Sequence, residues 1–163
     1  MTVKPVVAIL MGSDSDAKQL EPCGEILRQF GVPFEARVLS AHRTPQETAD
    51  YARSAKQNGL RVLIGAACGS AHLAGVVAAY TDLPVIGIPI ETASFRGIDS
   101  LLSTMQMPAG TPVATVAVGP GGVKNAAYLA LRILALEDAK LAKALKEFKE
   151  NNRKKILNKK IAL

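Results

Sequence analysis

The chain has 163 residues, of which 48% are hydrophobic and 4% are aromatic. This length and apolar content are typical of one compact domain with a substantial core, and they exclude an intrinsically disordered chain. The net charge of +6 is concentrated at one end, because residues 137–163 carry +5 and residues 1–136 only +1, so the body lacks the basic face and aromatic platforms of a nucleic-acid-binding protein.

The sequence contains no pattern of a membrane segment or an export signal. No apolar run approaches the length of a spanning helix, and the first apolar run, residues 6–11, is too short for a secretory signal. We therefore expect a cytoplasmic protein with no membrane and no nucleic-acid partner. Cys23 and Cys68 have no metal-ligand spacing around them, so in a reducing compartment both are expected to be free thiols.

Five apolar runs of strand length alternate with segments of helical spacing, at residues 6–11, 34–39, 62–67, 85–90 and 113–118. Such an alternation, with several runs apolar almost throughout, is typical of parallel strands covered by helices on both faces. The sequence predicts an α/β fold: a three-layer α/β/α sandwich around a five-stranded parallel sheet, doubly wound and flavodoxin-like. We expect a single domain, with residues 1–136 as the sandwich and residues 137–163 as a C-terminal helical extension.

The helix after the second run has the clearest start signal. Thr44 is placed as its N-cap, Pro45 as its first residue and Glu47 as its third. The first helix is less regular, because an interior proline removes a hydrogen bond and disfavours helix. We therefore expect the first helix either to kink at Pro22 or to begin near Leu20.

The C-terminal part of the chain is predicted to be helical. Residues 123–136 are Ala-rich and form the fifth helix, and residues 138–150 carry apolar side chains at helical spacing. No strand follows this last segment, so we expect it to pack on the outside of the sandwich or on another subunit. Residues 151–163 fit either a helix or a frayed tail.

Polar residues follow each predicted strand, at residues 12–16, 40–44, 68–72, 91–97 and 119–125. The carboxyl ends of parallel strands meet at one edge of a sheet, so we expect these five loops to converge there. Hydroxyls, Arg43 and free backbone N–H groups beside an imidazole favour a pocket for a small phosphorylated molecule. Each feature alone also has an ordinary explanation as a helix cap, a turn or a surface histidine.

Several classes of site lack their defining residues. The chain has no Gly-x-Gly-x-x-Gly loop, no Gly-Lys-Ser/Thr loop and no Gly-x-Ser-x-Gly turn, which argues against dinucleotide, nucleoside-triphosphate and serine-hydrolase chemistry. A phospho-receiver domain needs an aspartate after the third strand, where this chain has Ala67-Cys68-Gly69. His42 and His72 have no evident third ligand, so a transition-metal site is poorly supported.

Three motifs resemble a known family: Met11-Gly12-Ser13-Asp14-Ser15-Asp16, Ser40-Ala41-His42-Arg43-Thr44-Pro45 and Ser70-Ala71-His72-Leu73-Ala74-Gly75. They are similar to those of class I 5-(carboxyamino)imidazole ribonucleotide mutase, also called the catalytic subunit of phosphoribosylaminoimidazole carboxylase. The similarity extends through Gln106-Met107-Pro108 and Asn125-Ala126-Ala127. The resemblance implies a step of de novo purine synthesis in which a carboxylate moves from an exocyclic nitrogen to ring carbon 4, with no cofactor or metal. It also implies a homo-octamer with sites at subunit boundaries.

The resemblance assigns roles to individual positions. His42 is implied to be the general acid and base, and a first group of residues is implied to bind the ribose phosphate: Ser13, Asp16 and Arg43, assisted by Ser15 and Ser40. The loop after the third strand is implied to close around the base and the migrating carboxylate, through Cys68, Gly69, Ser70, His72 and Leu73.

The third motif departs from the family, which usually reads Gly-Gly-Ala-Ala-His-Leu-Pro-Gly there. Cys68, Ser70 and Ala74 replace Gly, Ala and Pro; we expect the cysteine to add bulk to this loop and Ala74 to loosen its backbone. Class II relatives use free CO2 and typically carry Lys after the histidine, so Arg43 favours class I. The open alternatives are a CO2-dependent carboxylase of the same fold and a non-catalytic module that binds a phosphorylated metabolite, with a receiver-like interaction domain third.

Overall fold

The computed structural model describes residues 4–161 and contains, within them, five strands and six α-helices. In chain order these are β1 (Val7–Met11), α1 (Ala17–Gln29), β2 (Phe34–Val38), α2 (Pro45–Ser54), β3 (Val62–Ala67), α3 (Leu73–Ala79), β4 (Val85–Pro89), α4 (Ile98–Met105), β5 (Ala114–Thr115), α5 (Pro120–Leu134) and α6 (Ala139–Leu157). A single turn of 3-10 helix, Asp14–Asp16, precedes α1.

The strands form one sheet in the order β2-β1-β3-β4-β5, and every neighbouring pair is parallel. This is the flavodoxin-like order, so the predicted doubly wound sheet is confirmed. The chain moves outward from β1 to β2 and then crosses back to β3, which makes β1 and β3 the point where the winding direction reverses. Ligands of such sheets bind beyond the carboxyl ends of the strands at this point.

Two apolar layers cover the sheet because successive side chains of a strand point to opposite faces. Ile9 and Ile64 lie in the larger core with Leu27 of α1 and Leu131 of α5. Leu10 and its neighbours lie in the smaller core with residues of α2 and α3. All the side chains named here are at most 2% exposed, so the central strands are fixed from both sides.

Two predictions about the bounds of elements need correction. The first helix begins at Ala17, not near Leu20, and it runs through Pro22. The carbonyl that Pro22 leaves without a partner belongs to Lys18, which is exposed, so water can bind it. The predicted fifth strand, residues 113–118, pairs only at Ala114–Thr115, because it is an edge strand that begins after the non-donating Pro112.

The start of α2 is where the sequence placed it, but Thr44 does not cap the helix. Its Oγ1 instead accepts from the Ser40 N–H at 2.9 Å and donates to the Ser40 carbonyl at 3.2 Å. The predicted capping box is therefore replaced by a turn that the Thr44 side chain closes onto Ser40, and this turn holds the three residues between them, Ala41, His42 and Arg43.

The C-terminal extension packs on the outside of the sandwich, as predicted. Asp138 caps α6 by accepting from the N–H groups of Lys140 at 2.9 Å and Leu141 at 3.0 Å. Leu141 joins the larger core, and Phe148 stacks on Tyr128 of α5. The helix reaches Leu157, while residues 162 and 163 lie outside the described part of the chain.

Neither α6 nor any other helix within residues 4–161 combines the length and apolarity that crossing a bilayer requires. Both cysteines are free thiols, as predicted: Cys23 is buried and Cys68 is exposed. Burial raises the pKa of the Cys23 thiol to about 12, so this sulfur stays protonated and unreactive.

Candidate active site

A cleft of about 220 Å3 opens at the carboxyl end of the sheet, beside β1 and β3. Three loops line it: the first loop (residues 12–16), the second loop (residues 40–44) and the third loop (residues 68–72), which follow β1, β2 and β3. Strands β2 and β3 both pair with β1, so the carboxyl ends of the three strands lie side by side. The lining residues include nine of the predicted site residues: Ser13, Asp16, Ser40, His42, Arg43, Cys68, Ser70, His72 and Leu73.

The loops after β4 and β5 follow the carboxyl ends of parallel strands and so lie at the predicted edge of the sheet, but their residues do not line this cleft. Strands are spaced about 4.8 Å apart, and β5 is three strands away from β1. Asn125 instead lines a larger groove, of about 840 Å3, between α5 and α6. None of the residues lining that groove is an imidazole, carboxylate or thiol, so the smaller cleft is the better candidate for proton chemistry.

The two histidines meet in the cleft. His42 Nε2 lies 2.9 Å from His72 Nδ1, and the rings are nearly perpendicular, at 83°. Two ring nitrogens that face each other at this distance share one proton, since a proton on each would bring two N–H groups into contact. One of the facing nitrogens therefore carries a lone pair. The sequence placed both histidines in site loops but did not predict that they touch.

Arg43 connects the second loop to the first. Its guanidinium donates to the Gly12 carbonyl, and its backbone N–H donates to Ser40 Oγ at 3.2 Å. The side chain is exposed and keeps further N–H donors free. A guanidinium held in this way presents a fork that suits an anionic group such as a phosphate.

Asp16 is 4% exposed and closes the buried side of the first loop. Burial raises the pKa of its carboxyl above the ordinary value, and this outweighs the hydrogen bonds from Ser15 and Ser13 and the positive charge of Arg43, all of which act in the opposite direction. The ionised form of Asp16 is therefore less favourable in this loop than it would be in water, and carboxyls perturbed in this way are common at binding sites.

Two predicted site residues, Ser15 and Gly69, are absent from the cleft lining. Ser15 is exposed and its hydroxyl donates to Ser13 Oγ at 2.9 Å, which orders the first loop from outside. Gly69 has a left-handed backbone (φ +62°), and its N–H points away from the cleft, to Ser100 Oγ at 2.9 Å. Both support the residues that line the cleft.

Sequence reasoning missed three hydroxyls on α4 that lie against the third loop, those of Ser100, Ser103 and Thr104. Their spacing puts them on one face of a helix whose other face carries large apolar residues. Hydroxyls at i, i+3 and i+4 are the sequence signal that could have identified them. Ser100 and Thr104 are buried, which is unusual for polar side chains without a specific partner.

The departures of the third motif are accommodated without disturbing the core. Ala74 lies in the first turn of α3, where it is 1% exposed and packs against Gly65 of β3. A Cβ on Gly65 would come within 2.9 Å of the Ala74 Cα, so this glycine allows α3 to lie directly on the sheet. Cys68 is exposed and adds its bulk to the cleft.

Among residues 4–161, no three histidine, cysteine or acidic side chains are grouped closely enough to hold a metal ion.

Comparison with known proteins gives one consistent result. Residues 6–155 match the family model described as AIR carboxylase. The chain is 51% identical over 154 residues to the N5-carboxyaminoimidazole ribonucleotide mutase of Saccharolobus solfataricus, covering 94% of this chain and 96% of the relative. It is 47% identical over 153 residues to the mutase of the same name from Pyrococcus horikoshii, covering 94% and 85%. A crystal structure of Treponema denticola PurE superimposes with a TM-score of 0.83, at 33% identity and with 94% of each chain covered.

Proposed function

Because the chain belongs to the AIR carboxylase family, we propose that it catalyses a mutase step of purine synthesis. The reaction moves the carboxylate of N5-carboxyaminoimidazole ribonucleotide from the exocyclic nitrogen to carbon 4 of the ring. The observation that carries this proposal is the meeting of one imidazole pair with Arg43, Ser13 and Asp16 in a single cleft. An anion-binding side and a proton-transferring side are what this substrate requires.

The chemistry needs one proton-transferring group. The carbamate loses CO2 to give aminoimidazole ribonucleotide, carbon 4 attacks the retained CO2, and the proton on that carbon must then leave. His42 is proposed to take this proton and to supply the one that the exocyclic nitrogen needs on decarboxylation. The contact with His72 supports this role, because a hydrogen bond between the two ring nitrogens fixes the orientation of the His42 ring in the cleft.

Substrate binding is assigned to the other side of the cleft. Arg43 is proposed to bind the phosphate with its free N–H donors, helped by the hydroxyls of Ser13 and Ser40. Asp16 and Ser15 are proposed to bind or position the ribose. The third loop, with Cys68, Gly69, Ser70 and Leu73 beside His72, is proposed to enclose the base and the migrating carboxylate, which keeps CO2 from escaping.

The principal alternative is a carboxylase that takes free CO2. Two curated relatives at 51% and 47% identity are named as mutases, which supports the mutase over this alternative. The two are separated by supplying either the carbamate ribonucleotide alone or aminoimidazole ribonucleotide with bicarbonate. A binding module without catalysis would bind the carbamate ribonucleotide saturably and leave it unchanged.

His42→Asn is the decisive variant. General acid–base catalysis contributes about 10²- to 10⁴-fold, so we expect kcat to fall by that factor while the thermal unfolding midpoint stays near native, since His42 is exposed. Turnover of the carbamate ribonucleotide is followed for both proteins. Interconversion by the variant at a near-native rate would remove His42 from the mechanism.

We further propose that the whole chain is one mutase domain, that it acts in the cytoplasm and that it assembles as a homo-oligomer, the family's octamer. An apolar stripe on α4 supports assembly, because Ile98, Leu102 and Met105 are 61%, 49% and 51% exposed at helical spacing. Light scattering at micromolar concentration measures the oligomeric state directly.

A further inference from the structure

The hydroxyl of Ser100 uses both of its hydrogen-bonding functions across two parts of the fold. It accepts from the Gly69 N–H at 2.9 Å and donates to the Ile90 carbonyl at 2.7 Å. Ser100 is 0% exposed, so water does not reach this bridge. The hydroxyl therefore ties the third loop to the residue that follows β4.

The other two hydroxyls of α4 make weaker contacts with this loop. Ser103 donates to the Asp99 carbonyl at 2.7 Å and reaches the Gly69 carbonyl only at 3.3 Å. Thr104 donates to the Ser100 carbonyl at 2.7 Å and reaches the Ala71 carbonyl only at 3.5 Å. A hydroxyl has one hydrogen, so both are committed mainly to their own helix. Ser100 is the side chain of α4 that forms a short bond to the loop.

The position of α4 makes the Ser100 bridge possible. A Cβ on Gly87 of β4 would come within 2.3 Å of the Thr104 side chain, so the absence of a side chain there lets the helix lie close to the sheet. Gly69 has a left-handed backbone, and the Ser100 bond holds its N–H away from the cleft. Beyond Gly69 the loop runs back to the start of α3, where the His72 ring contacts the His42 ring.

Resting on the proposed function, we propose that Ser100 is a positioning residue: it holds Gly69 so that the third loop places His72 against His42. Ser100 itself does not line the cleft. Its loss should therefore lower turnover through His72 and leave phosphate binding, which belongs to the first and second loops, largely unchanged.

The first test needs no substrate. Hydrogen exchange of the Gly69 amide, measured by NMR on the full chain, should accelerate at least tenfold in Ser100→Ala. Thr104→Val is the matched control: it removes a buried hydroxyl from the same helix, keeps the side-chain shape and leaves the Ser100 bond intact, so Gly69 exchange should stay near native. Unchanged exchange in Ser100→Ala would overturn the proposal whether or not the proposed reaction is correct.

The second test uses turnover of the carbamate ribonucleotide. Ser100→Ala should lower kcat on the order of tenfold with little change in KM, because misplacing a reacting group costs turnover. In a His72→Asn background the same substitution should cost little more, since both changes act on one contact. If Ser100→Ala lowered kcat by the same factor in the His72→Asn background as in the native chain, the proposal would be overturned. Should Ser100→Ala fail to fold, Ser100→Cys, which is similar in size but a weaker hydrogen-bonding group, should show a smaller change of the same kind.

Discussion

The first and third loops of the cleft are held by different kinds of contact. The first loop is ordered by its own side chains: Ser13 Oγ accepts from the Ser15 hydroxyl at 2.9 Å and from the Ser15 N–H at 3.3 Å, on an exposed surface. The third loop is held from behind, by a buried hydroxyl that lies 31 residues further along the chain. The first arrangement is local and solvated, and the second depends on packing of the whole sandwich.

This difference suggests that the first loop serves substrate binding and the third loop serves proton transfer. A solvated loop with its own hydrogen bonds can adjust to a phosphate and exchange it with water, which suits binding and release. A loop anchored to the core holds a side chain within a narrow range, which proton transfer requires. Changes to the first loop and to Arg43 of the second loop should therefore act on KM, and changes to the third loop on kcat.

Arg43→Ala is expected to have the largest effect of the three changes that test this division. It removes the donor that ties the second loop to the Gly12 carbonyl and the proposed phosphate ligand. A hydrogen bond to a charged group is worth about 1.5–3 kcal/mol, so KM should rise about 10- to 100-fold with kcat nearly unchanged. Arg37→Ala is the control, because Arg37 is an exposed arginine of β2 that does not line the cleft. An unchanged KM in Arg43→Ala would contradict the phosphate role.

Gly69→Ala tests the third loop. A left-handed conformation costs an L-residue roughly 1–2 kcal/mol, and relief of that strain would pull the loop from its anchor, so kcat should fall about tenfold. Gly31→Ala is a close control, since Gly31 has φ +69° against +62° for Gly69, and a Cβ added at either position would meet no heavy atom within 4 Å. Urea unfolding should show similar destabilisation of both variants. Equal kcat values for Gly69→Ala and Gly31→Ala would show that the third loop does not control turnover in the way proposed.

Asp16→Asn is expected to have the smallest effect and to move stability and binding in opposite directions. Burial raises the pKa of Asp16 in the folded chain above 3.8, so its contribution to stability is full below that pH and is lost as the pH rises through the folded-state value. The amide should therefore stabilise the protein at pH 7, on the order of 1 kcal/mol, and the gain should disappear toward pH 4. KM should rise modestly. Urea unfolding at both pH values measures the effect, and a gain that grows on acidification would have the wrong sign.

Much of the fold followed from local patterns in the sequence. The runs at residues 62–67 and 85–90 are apolar throughout because both faces of these strands are covered, and they were predicted to within one residue. The length of the fifth strand was overestimated, because at the edge of the sheet only Ala114–Thr115 pair with β4. Apolar composition predicts that a strand exists but not how many of its residues pair. The start of the first helix was placed too late as one of two alternatives, because a helix tolerates a proline where the freed carbonyl faces water.

The site was predictable where its contacts are local and not where they span the fold. Arg43 and His42 were identified from one short motif, and Ser13 and Asp16 from another. The contact between His42 and His72 joins positions 30 residues apart, and the Ser100 bridge joins positions 31 residues apart. Both depend on which strands are neighbours, so only the assembled sheet reveals them.

The close approach at Gly65 also bears on how this enzyme could change over time. His72 lies directly before α3, and α3 rests on the sheet at Gly65, where a Cβ would meet the Ala74 Cα at 2.9 Å. Gly65 does not line the cleft, yet any substitution there would lift the helix that follows His72. The glycine at this buried position is therefore required by the site as well as by the core, although its own atoms never meet the substrate in the proposed arrangement.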